Sequence, residues 1–160
     1  MSKAFTKESE GGPFDDAHLE LKDPLPAGVK NYVTPEGASA LREELSRLEH
    51  QLRPKSKRVE GLDRKIQFLR DRVANMVVVD PGSQDKDSVR FGAFVTVADS
   101  EGNEKDYHIV GVDESDPPRG KISWISPIAK ALISARVGDV VTLELPDGNT
   151  ELEILEIEYR

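Results

Sequence analysis

Asp113, Glu114 and Asp116 stand within four residues of one another, and carboxylates so grouped can hold a hard divalent cation through oxygen. Their spacing lacks the glycine and the distal glutamate of a calcium-binding loop, so the same residues also read as a solvated turn. A second group is cationic. Arg53, Lys55, Lys57 and Arg58 flank Pro54 and Ser56 in a stretch without a single acid. Such a turn can contact RNA or another phosphate with modest, salt-sensitive affinity, although a solvated basic turn is the commoner use of these residues. His108 lies in a strand-like run with no serine or acid pattern beside it, which fits a packed or half-exposed histidine better than a catalytic one. The chain has no cysteine, so a disulfide framework and thiolate metal centres are excluded. These residues give no reason to expect a catalytic group, a metal site or a cofactor.

The elements that carry these groups are legible from spacing. Ala38, Leu41, Leu45, Leu48 and Leu52 recur at intervals of three and four, as do Val59, Leu62, Ile66, Leu69, Val73 and Met76 on the far side of the basic turn. Each set is an apolar seam at heptad spacing with charged faces around it. Folding the chain back at Lys55-Ser56 pairs the two ladders so that partner numbers add to 110 or 111, which predicts an antiparallel helical hairpin. Thr34 suits the cap, Pro35 the first helical position and Glu36 the positive end of the helix dipole. Gly61 is the weak point, since glycine inside a helix costs about 1 kcal/mol relative to alanine.

Residues 1–33 combine Gly11-Gly12-Pro13, Pro24, Pro26 and Gly28 with few large apolar groups and are expected to form a mobile tail. The hairpin occupies 34–76 and a compact domain 77–160. In that domain Val77-Val78-Val79 reads as a short buried strand. Further strands are expected over 91–97, 107–112, 121–125, 140–145 and 151–157, with hairpin turns at Asp99 to Asn103 and at Pro146-Asp147-Gly148. One short helix starts at Ser126-Pro127 and ends near Arg136, before Gly138. The fold class is therefore α+β, an N-terminal helical hairpin followed by an antiparallel sheet with one short helix.

The net charge of −8 conceals a segregation. Residues 81–160 hold 16 acids against 8 bases, whereas residues 35–80 hold 10 bases against 8 acids. A protein that grips nucleic acid over its whole surface is thereby disfavoured. No apolar run approaches the roughly 20 residues of a membrane span, and the N-terminus lacks the apolar core of a signal peptide, so a cytoplasmic protein without membrane contact is expected.

Several stretches carry a family resemblance: Lys30-Asn31-Tyr32-Val33-Thr34-Pro35, residues 62–69, Ile109-Val110-Gly111-Val112-Asp113-Glu114, and Ile122-Ser123-Trp124-Ile125-Ser126-Pro127 running on to Leu132. Together they resemble the bacterial Gre transcript-cleavage factors, the GreB branch in particular. The resemblance implies a coiled-coil hairpin and a C-terminal domain similar to FK506-binding proteins, which docks on RNA polymerase beside its secondary channel. It also implies a monomer whose contacts with polymerase include Ile125, Ser126, Pro127, Asp113 and Glu114, with Trp124 partly in the core. In the family, two carboxylates at the hairpin tip help hold a catalytic magnesium ion that activates water against the backtracked transcript. Here the sequence departs: about two dozen residues expected after Arg53-Pro54, including the acidic tip, are absent. The reading that results is an elongation factor that occupies polymerase without stimulating cleavage, its basic tip available to nascent RNA. The alternatives are an active cleavage factor, for which Glu49 and Glu60 are the nearest acids, and a prolyl isomerase, which nine aromatic residues make hard to assemble.

Overall fold

The computed structural model describes residues 25–26, 28–52 and 61–160, so the basic turn with Arg53, Lys55, Lys57 and Arg58 lies outside the described residues. Helix α1 spans Pro35–Leu52 and α2 spans Leu62–Asn75. The start of α1 is capped as its sequence demands: the Gly37 amide donates to Thr34 Oγ1 at 3.1 Å and the Ala38 amide to the Thr34 carbonyl at 2.9 Å. Between the helices Leu48, Leu62, Ile66 and Leu69 are buried, with Leu41, Leu45 and Phe68 packed around them.

Two ion pairs cross between the helices, Glu44 with Lys65 at 3.3 Å and Glu49 with Arg70 at 2.9 Å. One detail of the hairpin differs from expectation, Gly61. It sits outside the helix at φ 89°, in the left-handed region, and α2 begins after it. The glycine therefore sets the direction of the returning arm and does not weaken it.

Residues 31–33, expected in the tail, form strand β1 (Asn31–Val33), which pairs in parallel with β2 (Met76–Val78). A parallel pair needs a long crossover, and the helical hairpin is that crossover. Val77 and Val78 are 41% and 45% exposed, so β2 is not the buried strand that its apolar run suggested.

The second sheet has five strands in the order β5-β4-β3-β7-β6: β3 (Phe94–Ala98), β4 (Glu104–Val110), β5 (Lys121–Ser123), β6 (Val140–Leu145) and β7 (Gly148–Glu158). Three pairings are antiparallel, but β5 runs parallel to β4 because the chain crosses over between them through two short 3₁₀ turns. The sheet is therefore mixed, not antiparallel throughout. Helix α3 (Pro127–Leu132) supplies Ala129 and Leu132 to a core with Val95, Val97, Ile109 and Ile154. Alternation along β3 places Val95 and Val97 inside and leaves Phe94, Thr96 and Ala98 on the half-exposed outer face.

Candidate functional site

The acids of the 113–116 group do not form a metal loop. Asp113 and Glu114 lie in a 3₁₀ turn, Val112–Glu114, that follows β4, and both carboxylates face the base of the helical hairpin. Glu114 Oε2 accepts from the Thr34 amide and from the Gly111 amide, each at 3.0 Å, and Glu114 Oε1 accepts from the Thr34 hydroxyl. That hydroxyl oxygen in turn takes the Gly37 amide. One carboxylate thus joins the cap of α1 to the end of β4.

Asp113 serves the other helix. Its Oδ1 lies 3.6 Å from Arg72 Nε in α2, with the two side chains only 6% and 8% exposed, and Asn31 Nδ2 in β1 donates to its Oδ2 at 3.3 Å. Arg72 also lies over the Phe68 ring, 4.8 Å from its centroid. Burying a guanidinium is tolerable only when it is paired, and here the partner comes from the sheet domain. Adjacent acids in one turn therefore clamp both arms of the hairpin.

Aromatic packing closes the same junction. Tyr32 of β1 meets Trp124 edge to face at 5.1 Å and Phe91 at 6.0 Å, within the range at which ring pairs attract. Two glycines permit the approach. A Cβ on Gly37 would stand 2.1 Å from Glu114 Cδ, and a Cβ on Gly111 would stand 2.3 Å from the Tyr32 carbonyl oxygen. Neither Tyr32 nor Thr34 nor Arg72 stands out in the sequence as a junction residue. A signal was nevertheless present in Gly37, a glycine inside a good helical pattern, which local propensity disfavours and a close tertiary contact explains.

Ile125, Ser126 and Pro127 are brought together at the start of α3. Ser126 caps it, its Oγ accepting from the Ala129 amide at 3.3 Å, and Pro127 occupies the first turn. Pro127 is exposed while Ile125 and Ser126 are half-buried, so this corner presents a small mixed surface. Asp113 and Glu114 do not join that surface, since their carboxylates are engaged at the hairpin base.

His108 stacks on Phe94 with centroids 3.8 Å apart and planes inclined by 13°, and Arg160 lies 4.3 Å from the Phe94 centroid on the same sheet face. Burial lowers the His108 pKa from 6.5, which keeps the imidazole neutral at pH 7. Among the described residues no three His, Asp or Glu side chains come together in a way that could hold a metal ion.

Comparison with known proteins places this architecture. Residues 84–159 match the family described as transcription elongation factor, GreA/GreB, C-terminal. A transcription elongation factor GreB of Neisseria meningitidis serogroup B is 41% identical over 155 residues, covering 82% of this chain and 95% of that protein. A GreB of Yersinia pestis is 35% identical (81% and 90% covered), and a GreA of Thermodesulfovibrio yellowstonii is 36% identical (79% and 96% covered). A solved structure of a GreA/GreB elongation factor from Nitrosomonas europaea is 24% identical and covers 81% of this chain and 100% of its own, but at a TM-score of 0.43 the likeness is too low to compare arrangements. The Neisseria alignment runs over 155 positions yet takes in 82% of the 160 residues here, about 131, so about two dozen positions have no counterpart in this chain. With relatives above 30% identity matched over nearly their whole length, the chain belongs to the GreA/GreB family of transcription elongation factors.

Proposed function

We propose that this protein binds RNA polymerase beside the secondary channel through a C-terminal domain of the FK506-binding-protein type and regulates elongation without stimulating transcript cleavage. The observation that carries the reading is the stretch between the two helices. It holds Arg53, Lys55, Lys57 and Arg58 and no acid from 53 to 58, in a chain that lacks a counterpart for about two dozen of the positions aligned with its Neisseria relative. Assisting a magnesium ion takes clustered oxygen anions, and a cationic tip repels the metal instead. Ile125, Ser126 and Pro127 supply the docking corner, because they are the part of the predicted contact set that faces outward. Asp113 and Glu114 act in this reading as positioning residues, setting the direction of the hairpin from the docked domain. The basic tip is left to approach nascent RNA. The protein is an accessory to polymerase, acting as a monomer in the cytoplasm.

The test uses core RNA polymerase stalled in a backtracked complex. The protein is expected to co-purify with polymerase, to leave cleavage at the intrinsic rate, and to slow cleavage driven by a full-length relative in proportion to its concentration. Cleavage well above the intrinsic rate with the unmodified chain overturns the reading.

A further inference from the structure

Strand β6 ends the five-stranded sheet. It pairs with β7 on one side, and among the described residues nothing pairs with the other. Sheet edges are normally protected by a bulge, a proline or a lysine. Val140–Leu145 has neither proline nor lysine: its sequence is Val-Val-Thr-Leu-Glu-Leu, and past a bulge at Gly138-Asp139, where both residues oppose Ile154, its register with β7 runs without a shift. Val140 and Leu145 along it are 59% and 45% exposed, and Val137 just before it is 58% exposed. The backbone alternation is fixed as well. The Gly138 amide donates to the Ile154 carbonyl and the Ile154 amide to the Asp139 carbonyl, so the next inward-bonded pair is Val141 with Leu152. The amides and carbonyls of Val140, Thr142 and Glu144 consequently face the open edge.

The charge around this edge has one sign. From residue 137 to 159 the chain holds Asp139, Glu144, Asp147, Glu151, Glu153, Glu156 and Glu158 and neither lysine nor arginine. Glu144, Glu151 and Glu153 share one face of β6 and β7, with Val140 and Thr142 between them in register. A nucleic acid is repelled by such a surface. A second copy of this chain would bring its own acids to it.

We infer that the β6 edge is a second protein-docking site, which takes an extended polypeptide segment alternating lysine or arginine with β-branched residues as a sixth strand. Main-chain hydrogen bonds to Thr142 and Glu144 supply the pairing, and the acids of β6 and β7 select for a basic strand.

Backbone amide exchange of the full chain, read residue by residue, tests it with a synthetic peptide of about eight residues alternating lysine and valine, capped at both ends. At saturating peptide the Thr142 and Glu144 amides are expected to exchange at least tenfold more slowly, with little change at Val141 and Leu143. Binding should weaken several-fold as ionic strength rises. Thr142→Pro removes an outward N–H that no β7 group uses, so it should abolish the protection and leave the amides of β3 and β4 as slow as in the parent. Glu144→Lys should weaken binding while preserving the fold. The inference is overturned if the peptide leaves both amides unchanged, or if a glutamate–valine peptide protects them equally. It is also overturned if they are protected without peptide, independently of concentration where the chain covers its own edge, or increasingly with concentration where a second copy does.

Discussion

Replacing Glu114 by alanine should free the hairpin from the sheet domain before it unfolds either. The carboxylate accepts from two backbone amides, Thr34 and Gly111, each at 3.0 Å, and from the Thr34 hydroxyl. An unpaired buried donor costs about 1–3 kcal/mol. The hydroxyl can turn to another acceptor and the junction is only half-buried, so the two amides dominate and the expected loss is about 2–4 kcal/mol. Set against a total stability of about 5–15 kcal/mol, that is enough to open one region ahead of the rest. Glu114→Gln keeps one oxygen for the amides and aims an amino group at a hydroxyl oxygen that already takes the Gly37 amide, so about 1 kcal/mol is expected.

Trp124 makes the measurement direct. It is the only tryptophan in the chain, and its ring lies 5.1 Å from that of Tyr32, so its emission reports on the junction. In urea, the Trp124 transition of the alanine variant should move to lower denaturant and separate from the loss of sheet signal, while in the parent the two coincide. The Thr34 and Gly111 amides should exchange faster in the same order, alanine above glutamine above parent. The clamp is refuted if Glu114→Ala stays within about 0.5 kcal/mol of the parent and both amides exchange as before.

The seam between the helices should matter more than the ion pairs across it. Leu48→Ala or Leu69→Ala should cost about 2–5 kcal/mol in hairpin stability, whereas Glu49→Gln, which breaks an exposed pair with Arg70, should cost less than about 1; amide exchange over residues 36–76 distinguishes the two. Ile125→Asp should weaken binding to core polymerase about tenfold, equivalent to about 1.4 kcal/mol, with the fold intact by circular dichroism. The His108 pKa is lowered in the folded chain by burial, so the unfolded chain takes the proton first as pH falls. Stability should therefore be full above pH 6.5 and decline below it until His108 titrates in the folded state, a decline that His108→Gln should flatten in urea titrations at successive pH values.

Local patterns disclosed most of the elements because local physics determines them. The leucine ladders, the Thr34-Pro35 start and the Ser126-Pro127 start each depend on neighbours within a turn or two, and the structure places helices there. What escaped the sequence depends on partners distant along the chain. Asp113 and Glu114 look like surface acids until Thr34, about 80 residues earlier, and Arg72 are brought against them. The apolar Val77-Val78 looks like core until β2 proves to lie at the edge of a two-stranded sheet. Likewise nothing in β5 itself distinguishes parallel from antiparallel pairing, which is decided by where the crossover after β4 delivers the chain.

Under the proposed function, direction and reach of the hairpin are set by separate parts of the molecule. The Asp113-Glu114 clamp fixes direction at the base, and arm length alone fixes reach. Removing about a dozen residues from each arm, at a rise of 1.5 Å per residue, withdraws the tip by about 18 Å without touching the clamp or the corner at Ile125 to Pro127. Two variants should then behave differently. Grafting the missing acidic stretch of a relative between Pro54 and Lys55 should restore cleavage of a backtracked transcript, because docking and direction are already in place. The same graft in the Glu114→Ala background should bind polymerase with nearly unchanged affinity but cleave at least tenfold more slowly, since a tip about 45 Å from a loosened base samples a wide arc and a displacement of 1 Å at a reacting centre already lowers rates strongly. If both grafts cleave equally well, the clamp contributes to folding alone and the polymerase channel itself guides the hairpin.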